Sequence, residues 1–177
     1  MDKDIVLWLQ ENRIIQWDPV FVFLTDFVSV VTAAILGILF YQSFIKKSKP
    51  HVYFWFPTIS LIITAILVNG IKFIIRRPRP FQIYDSIEQL TRGGGYSFPS
   101  GHTAEVFTLL FSLWLLYKKP SIRIVLLLWA FFIGYSRISF GVHYPSDILG
   151  GIAVAALSVF ITKKFILPRL PILPNQS

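Results

Sequence analysis

"GVHYPSDILGG", residues 141–151, lies between two oily runs, "IVLLLWAFFIGY" (124–135) and "IAVAALSVFI" (152–161). Neither run alternates polar and apolar faces as a helix on a soluble core does; a helix apolar all round belongs in a bilayer. The polar stretch between them therefore marks a membrane surface. It places a histidine and an aspartate, His143 and Asp147, at the mouth of an apolar helix.

The rest of the chain follows the same pattern. Of its 177 residues, 54% are hydrophobic. A helix needs about 20 apolar residues to cross hydrocarbon. Five candidate spans appear, at about Phe21 to Phe44, Tyr53 to Ile75, Ser100 to Tyr117, Ile122 to Ile138 and Asp147 to Phe165. The third and fourth are short, so their ends extend into the interface. The expected fold is all-α: one integral membrane helical bundle over residues 1–177, with about five transmembrane spans and an N-terminal interfacial amphipathic helix. That helix belongs to residues 1–18, "MDKDIVLWLQENRIIQWD", which lack the basic leader and cleavage site of a signal peptide. Trp8 and Trp17 would sit at headgroup depth. There is no internal repeat, and the Pro-rich tail, 168–177, is expected to be extended and flexible. The absence of cysteine excludes disulfides and thiolate metal sites.

The charges sort by side. Lys46, Lys47 and Lys49, then Lys118, Lys119 and Arg123, then Lys163, Lys164 and Arg169 occupy three segments that hold none of the nine acidic residues. With five spans these segments share one side, which the positive-inside rule makes cytoplasmic. The net charge of +8 then reflects topology and contact with anionic membrane lipids, not nucleic-acid binding. The N-terminus and the loops 76–99 and 139–146 would face outward, and the C-terminus inward.

Three clusters converge on that outer face. The first is "KFIIRRPRP", with Lys72, Arg76, Arg77 and Arg79. Pro78 disfavours helix at Arg77, so the span stops nearby, with Lys72 and Arg76 in its last turn. Cations could simply snorkel there, but a group held on the outer side runs against the positive-inside trend and points to an anion. The second is "SFPSGHTAE", in which Ser100 suits a helix N-cap. Unpaired N–H groups at a helix start suit phosphate, Gly101 allows close approach, and His102 stands in the first turn. The plain alternative is a Ser-Gly turn beside a chance histidine. In the third, "SRISFGVHYPSD", Arg137 ends a span, and Asp147 is within reach of an imidazole nitrogen of His143. Such a carboxylate fixes the tautomer and frees the other nitrogen as a nucleophile. Read only as a partner for the helix dipole, Asp147 leaves His143 without a role.

Together, K-x6-R-P, PSGH and S-R-x5-H-x3-D resemble the three-part signature of the type 2 phosphatidic acid phosphatase (PAP2) superfamily. The resemblance runs from Lys72 to Asp147 by motif and to the last span by hydropathy. Membrane members commonly have six spans; here the first is absent or reduced to the amphipathic N-terminus. The resemblance implies that His143 is the nucleophile, Asp147 its orienting partner, and His102 the acid for the leaving oxygen and later the base for water. Lys72, Arg79, Ser100, Gly101 and Arg137 would hold phosphate, with Arg76 and Arg77 as possible headgroup contacts. No metal and no cofactor is expected, since fixed cations and helix-end amides can stabilise phosphoryl transfer.

The implied activity is hydrolysis of a terminal phosphate from a lipid phosphate or diphosphate through a phosphohistidine. By resemblance to bacterial members, candidate substrates are undecaprenyl diphosphate, lipid A 1-phosphate, phosphatidylglycerol phosphate and phosphatidic acid. The implied location is a bacterial inner membrane with the site on the outer side; oligomeric state is left open. A lipid phosphotransferase of the same fold fits the motifs equally. A non-catalytic channel or scaffold explains the spans but leaves both histidines as coincidence.

Overall fold

The structure is a computed structural model that describes residues 2–169. The expectation for the tail beyond Arg169 lies outside the described residues. Among the described residues the chain is helical, with no strand. Helix α1 covers Asp2–Glu11, α2 Asp18–Asp26, α3 Val28–Phe40, α4 Val52–Ile75, α5 Pro80–Ile83, α6 Gly101–Leu116, α7 Pro120–Ser139 and α8 Pro145–Ile161. Wider π-type turns extend α3 through Tyr41–Ile45 and α8 through Thr162–Ile166. Four helical stretches are long and apolar enough to cross a membrane: Val28–Ile45, Val52–Ile83, Pro120–Ser139 and Pro145–Arg169.

The shorter apolar helix, α6, is the axis of the bundle. Its main neighbours are α8, α4 and α7. Val106, Leu109, Leu110 and Leu113 are buried along it, and Leu39, Leu126, Ala130 and Ile133 join the same core. Helices in lipid gain little from hydrophobic exclusion, so small residues and interhelical hydrogen bonds decide how closely they pack. Both devices are present. A Cβ built on Gly151 of α8 would lie 2.7 Å from the Ser100 carbonyl oxygen, so only glycine allows that approach. Across α4 and α6, the Thr64 and Thr108 hydroxyls are 2.8 Å apart. At 1.5 Å per residue, the sixteen residues of α6 span about 24 Å, less than the ~30 Å hydrocarbon core. The 92–96 stretch roofs the N-terminus of α6 across a space that can hold a site.

Two sequence expectations need correction. The first apolar stretch is not one span from Phe21, because the helix breaks at Phe27 (φ −96°, ψ 8°). The break serves polar contacts: the Thr25 hydroxyl accepts from Arg137 at 3.0 Å, and the Asp26 carboxylate accepts from Thr91 at 3.1 Å. Arg76 does not share the last turn of α4. It caps the helix in the left-handed region at φ 50°, and the chain turns there into the Arg77–Arg79 segment.

The N-terminal helix ends at Glu11, short of the expected residue 18, and Trp17 lies in the 3-10 turn Ile15–Trp17 that follows. Trp8 and Trp17 are exposed, and the helix is also docked. Val6 is buried against Ile87 and Tyr144. The Gln10 side-chain amide makes both hydrogen bonds with the backbone of Glu88, donating at 2.8 Å and accepting at 3.0 Å.

Candidate active site

The roof over α6, the ends of α4 and α7 and the loop that precedes α8 line a cavity of about 490 Å³. Lys72, Arg79, Gly101, His102, Arg137 and His143 line it, with Asn69, Tyr96 and the Gly93–Gly95 run at its edges. Residues far apart in the chain therefore meet as the three clusters suggested.

Each cation is held by carbonyl groups. Lys72 donates to the Tyr96 carbonyl. Arg79 donates to Gly94 O at 2.7 Å, Gly95 O at 3.1 Å and Val142 O at 2.9 Å. Arg137 is 1% exposed and donates to Thr25 Oγ1 at 3.0 Å and Arg92 O at 3.1 Å. Its Nε is buried with no hydrogen-bond partner among the described residues. A buried guanidinium N–H without an acceptor is costly, and an anion in the cavity would supply one.

His143 is fixed from both sides. Its Nε2 lies 3.2 Å from Arg79 Nη1. Guanidinium only donates, so Nε2 is the acceptor and the ring proton sits on Nδ1. That Nδ1 faces Asp147 Oδ2 at 3.4 Å and the Ser97 hydroxyl, also at 3.4 Å. Burial pushes the His143 imidazole down to about 3, assisted by the Arg79 and Arg137 charges and opposed by Asp147. The ring is thus a neutral base at the cavity wall, its Nε2 unprotonated and shared with Arg79, as a nucleophile at phosphorus requires.

Asp147, with its side chain fully buried, is surrounded by donors. Oδ2 accepts from the Ser97 hydroxyl and from Tyr144 N at 2.8 Å, while Oδ1 accepts from Arg77 Nη1 at 2.8 Å. Arg77 reaches outward too, to Ser146 Oγ at 2.6 Å and Asp2 Oδ2 at 3.0 Å, and stacks 3.9 Å over the Tyr144 ring. Burial raises the Asp2 carboxyl, but hydrogen bonds from Ser146 and Arg77 outweigh it and hold the group below its usual range. A relay therefore runs from the N-terminal helix through Arg77 to Asp147 and His143.

Several expected residues lie elsewhere. The Ser100 side chain is fully buried and caps α6, with Oγ 2.9 Å from Thr103 Oγ1 and 3.4 Å from Thr103 N; it does not line the cavity. Arg76 is exposed and folds back, donating to Phe73 O at 2.9 Å. Arg77 bonds Asp147, Ser146 and Asp2. Ser97 and Asp2 carried no sequence signal, because their roles depend on Asp147 and Arg77, distant in the chain. Among the described residues no group of three or more His, Cys, Asp or Glu side chains could hold a metal ion. Lys72, Asn69, Gly101 and His102 also wall a second space of about 550 Å³, which continues between α3, α4 and α6.

Known proteins share this architecture. Undecaprenyl-diphosphatase BcrC of Bacillus subtilis is 29% identical over 84% of this chain and 74% of its own length. Lipid A 1-phosphatase of Rhizobium etli is 32% identical over 53% of this chain and 42% of its own length, so that match spans less than half of the relative. The crystal structure of Aquifex aeolicus LpxE superimposes with a TM-score of 0.79 at 28% identity, covering 92% of this chain and 94% of that one. The transmembrane PAP2-type phosphatidylglycerolphosphate phosphatase of Bacillus subtilis gives a TM-score of 0.77 at 22% identity, covering 97% and 87%, which speaks to the fold alone. The PAP2 superfamily profile matches residues 53–170, from the start of α4 past the last span. With the cradle, the paired histidines and helices α4 to α8 in that segment, the chain belongs to the PAP2 superfamily.

Proposed function

We propose that this protein is an integral membrane lipid phosphatase that removes a terminal phosphate through a phosphohistidine on His143. The observation that carries the reading is the buried Arg137 Nε without an acceptor, in a cavity where Arg79 and Lys72 stand beside the unprotonated Nε2 of His143. Similarity to an undecaprenyl-diphosphatase and to lipid A phosphatases supports the substrate class.

In the first step Nε2 attacks phosphorus in line with the ester oxygen, the P–O bond to the lipid breaks, and His102 gives its proton to the departing oxygen. Positive charge on the His143 ring is balanced by Asp147. In the second step His102 takes a proton from water, the oxygen attacks phosphorus, the P–N bond breaks, and inorganic phosphate leaves. Lys72, Arg79 and Arg137, with the Gly101 end of α6, stabilise the equatorial oxygens. These cations do the work a metal does elsewhere, so the reaction needs none. The site faces the outer side, since the Lys-rich segments lie at the opposite end of the bundle.

The test is phosphate release from undecaprenyl diphosphate, lipid A 1-phosphate, phosphatidylglycerol phosphate and phosphatidic acid by the purified protein. Turnover that survives EDTA, stops with vanadate and is absent in His143→Ala supports the reading. Strict Mg²⁺ dependence, or turnover by His143→Ala, overturns it.

A further inference from the structure

The space that continues from the phosphate cavity has walls unlike that cavity. One face of α4 lines it from Lys72 down through Asn69, Val68, Ala65, Ile62 and Thr58. Fourteen residues of helix make this about 21 Å deep, enough for lipid chains. Its first part is polar. Glu105 accepts from the Ser29 hydroxyl at 3.0 Å through Oε2, and Oε1 has no partner among the described residues. Asn69 donates to Ala65 O at 2.8 Å, which leaves its Oδ1 without one. Thr32 is only 7% exposed, lines the same space, and its Oγ1 has no hydrogen-bond partner among the described residues. Beyond Lys72, at the shared end, the lining contains no cation.

We propose that this groove holds a subsite for the part of the substrate next to the scissile phosphate, one that takes hydroxyl or amide N–H donors and disfavours a second phosphate. The inference rests on the phosphatase reading of the adjoining cavity and goes on to name the substrate class. A substrate with its phosphate beside His143 and its chains in the groove must pass His102 and then Glu105, one turn deeper, about 4.5 Å along α6. Glu105 therefore meets the atoms just beyond the ester oxygen. In an acylated sugar or polyol monophosphate those atoms bear hydroxyl or amide donors, which satisfy Glu105, Asn69 and Thr32. In a prenyl diphosphate the same place holds the second phosphate. There the second phosphate's charge and the Glu105 carboxylate repel each other, and no cation beyond Lys72 lines the groove to offset it. The buried, unpartnered Thr32 hydroxyl is also costly when no partner arrives.

The experiment compares kcat/KM for an acylated glucosamine 1-phosphate and for undecaprenyl diphosphate, both in one detergent with the full-length protein. The expected wild-type preference for the sugar phosphate is about tenfold or more. Glu105→Gln should shift the ratio about tenfold toward the diphosphate, whereas Glu105→Asp, which keeps the charge, should hold the wild-type ratio. Thr32→Val should lower turnover of the sugar phosphate and leave the diphosphate unaffected. A ratio within one variant is insensitive to the fraction of protein that folds, so Glu105→Gln remains informative even at low yield. A wild-type preference for the diphosphate, or a ratio that Glu105→Gln does not move, overturns the subsite. Absence of turnover on both lipids overturns the phosphatase reading, and the subsite with it.

Discussion

Arg77 offers the sharpest test of how the site is held together. The sequence allows it to be a headgroup contact; the structure turns it into the partner of Asp147 Oδ1 at 2.8 Å. Replacing it with alanine leaves that oxygen, on a fully buried side chain, without a donor. Breaking a buried ion pair costs about 3–5 kcal/mol, and losing one hydrogen bond to a charged group about 1.5–3 kcal/mol. The lower range applies, because the Arg77 side chain is 29% exposed and water can partly replace it, while Ser97, Tyr144 N and His143 still hold the other oxygen. The loss matters most when His143 carries positive charge and needs Asp147 in register. If about 2 kcal/mol appears there, kcat falls about 30-fold.

The assay is steady-state hydrolysis of one lipid phosphate with kcat and KM separated, alongside thermal unfolding of the same samples. Arg77→Lys should recover part of the loss, since one ammonium cannot reach Asp147, Ser146 and Asp2 together. Asp2→Ala should cost much less, within about threefold, because the Arg77–Asp2 pair is solvent-accessible. A raised KM with unchanged kcat would mean that Arg77 binds substrate directly. That result, or wild-type kinetics, refutes the relay.

Other expectations follow from the same geometry. His102→Ala should slow lipid substrates severely but spare aryl phosphates, whose leaving oxygen needs little protonation; equal losses on both would remove His102 from the acid role. The His143 imidazole is depressed to about 3 in the folded protein against a usual 6.5. Its acid limb should therefore be missing from kcat/KM between pH 5 and 8. Between those two values the unfolded chain binds a proton that the native state refuses, so stability should fall as pH drops from 7 to 4. Thermal unfolding across that range checks the sign. Gly151→Ala puts a Cβ 2.7 Å from the Ser100 carbonyl and should destabilise the bundle by about 1–3 kcal/mol, read as a lower unfolding midpoint in detergent. A cysteine at position 94 should react with an impermeant thiol reagent in intact cells and one at position 48 should not; the reverse would invert the topology.

The features legible in the sequence are those carried by short stretches of chain. The apolar runs gave α4, α6, α7 and α8 because hydrocarbon imposes a length and a composition on each helix separately. The lining of the cavity was legible because each cluster lies at the end of a helix, where local turn chemistry sets its position. Spacing alone also brought Asp147 to His143, four residues away.

What the sequence hid depends on contacts between distant residues. Ser100 and Gly101 are neighbours with the same apparent suitability for phosphate, yet the Ser100 hydroxyl serves the cap of α6 and Thr103. "RRPR" contains three arginines that no local rule tells apart. Their fates diverge because Arg76 takes the left-handed conformation and ends α4. Arg76 then lies along its own helix against Phe73, while Arg77 meets Asp147 across 70 residues of chain and Arg79 meets Val142 and His143 across 63 and 64. An arginine at this turn is a surface charge, a structural partner or a phosphate ligand according to what α8 and the 139–146 loop present to it. Charge patterning locates such a cluster, and the packing of α8 on α6 through Gly151 decides what each member of it does.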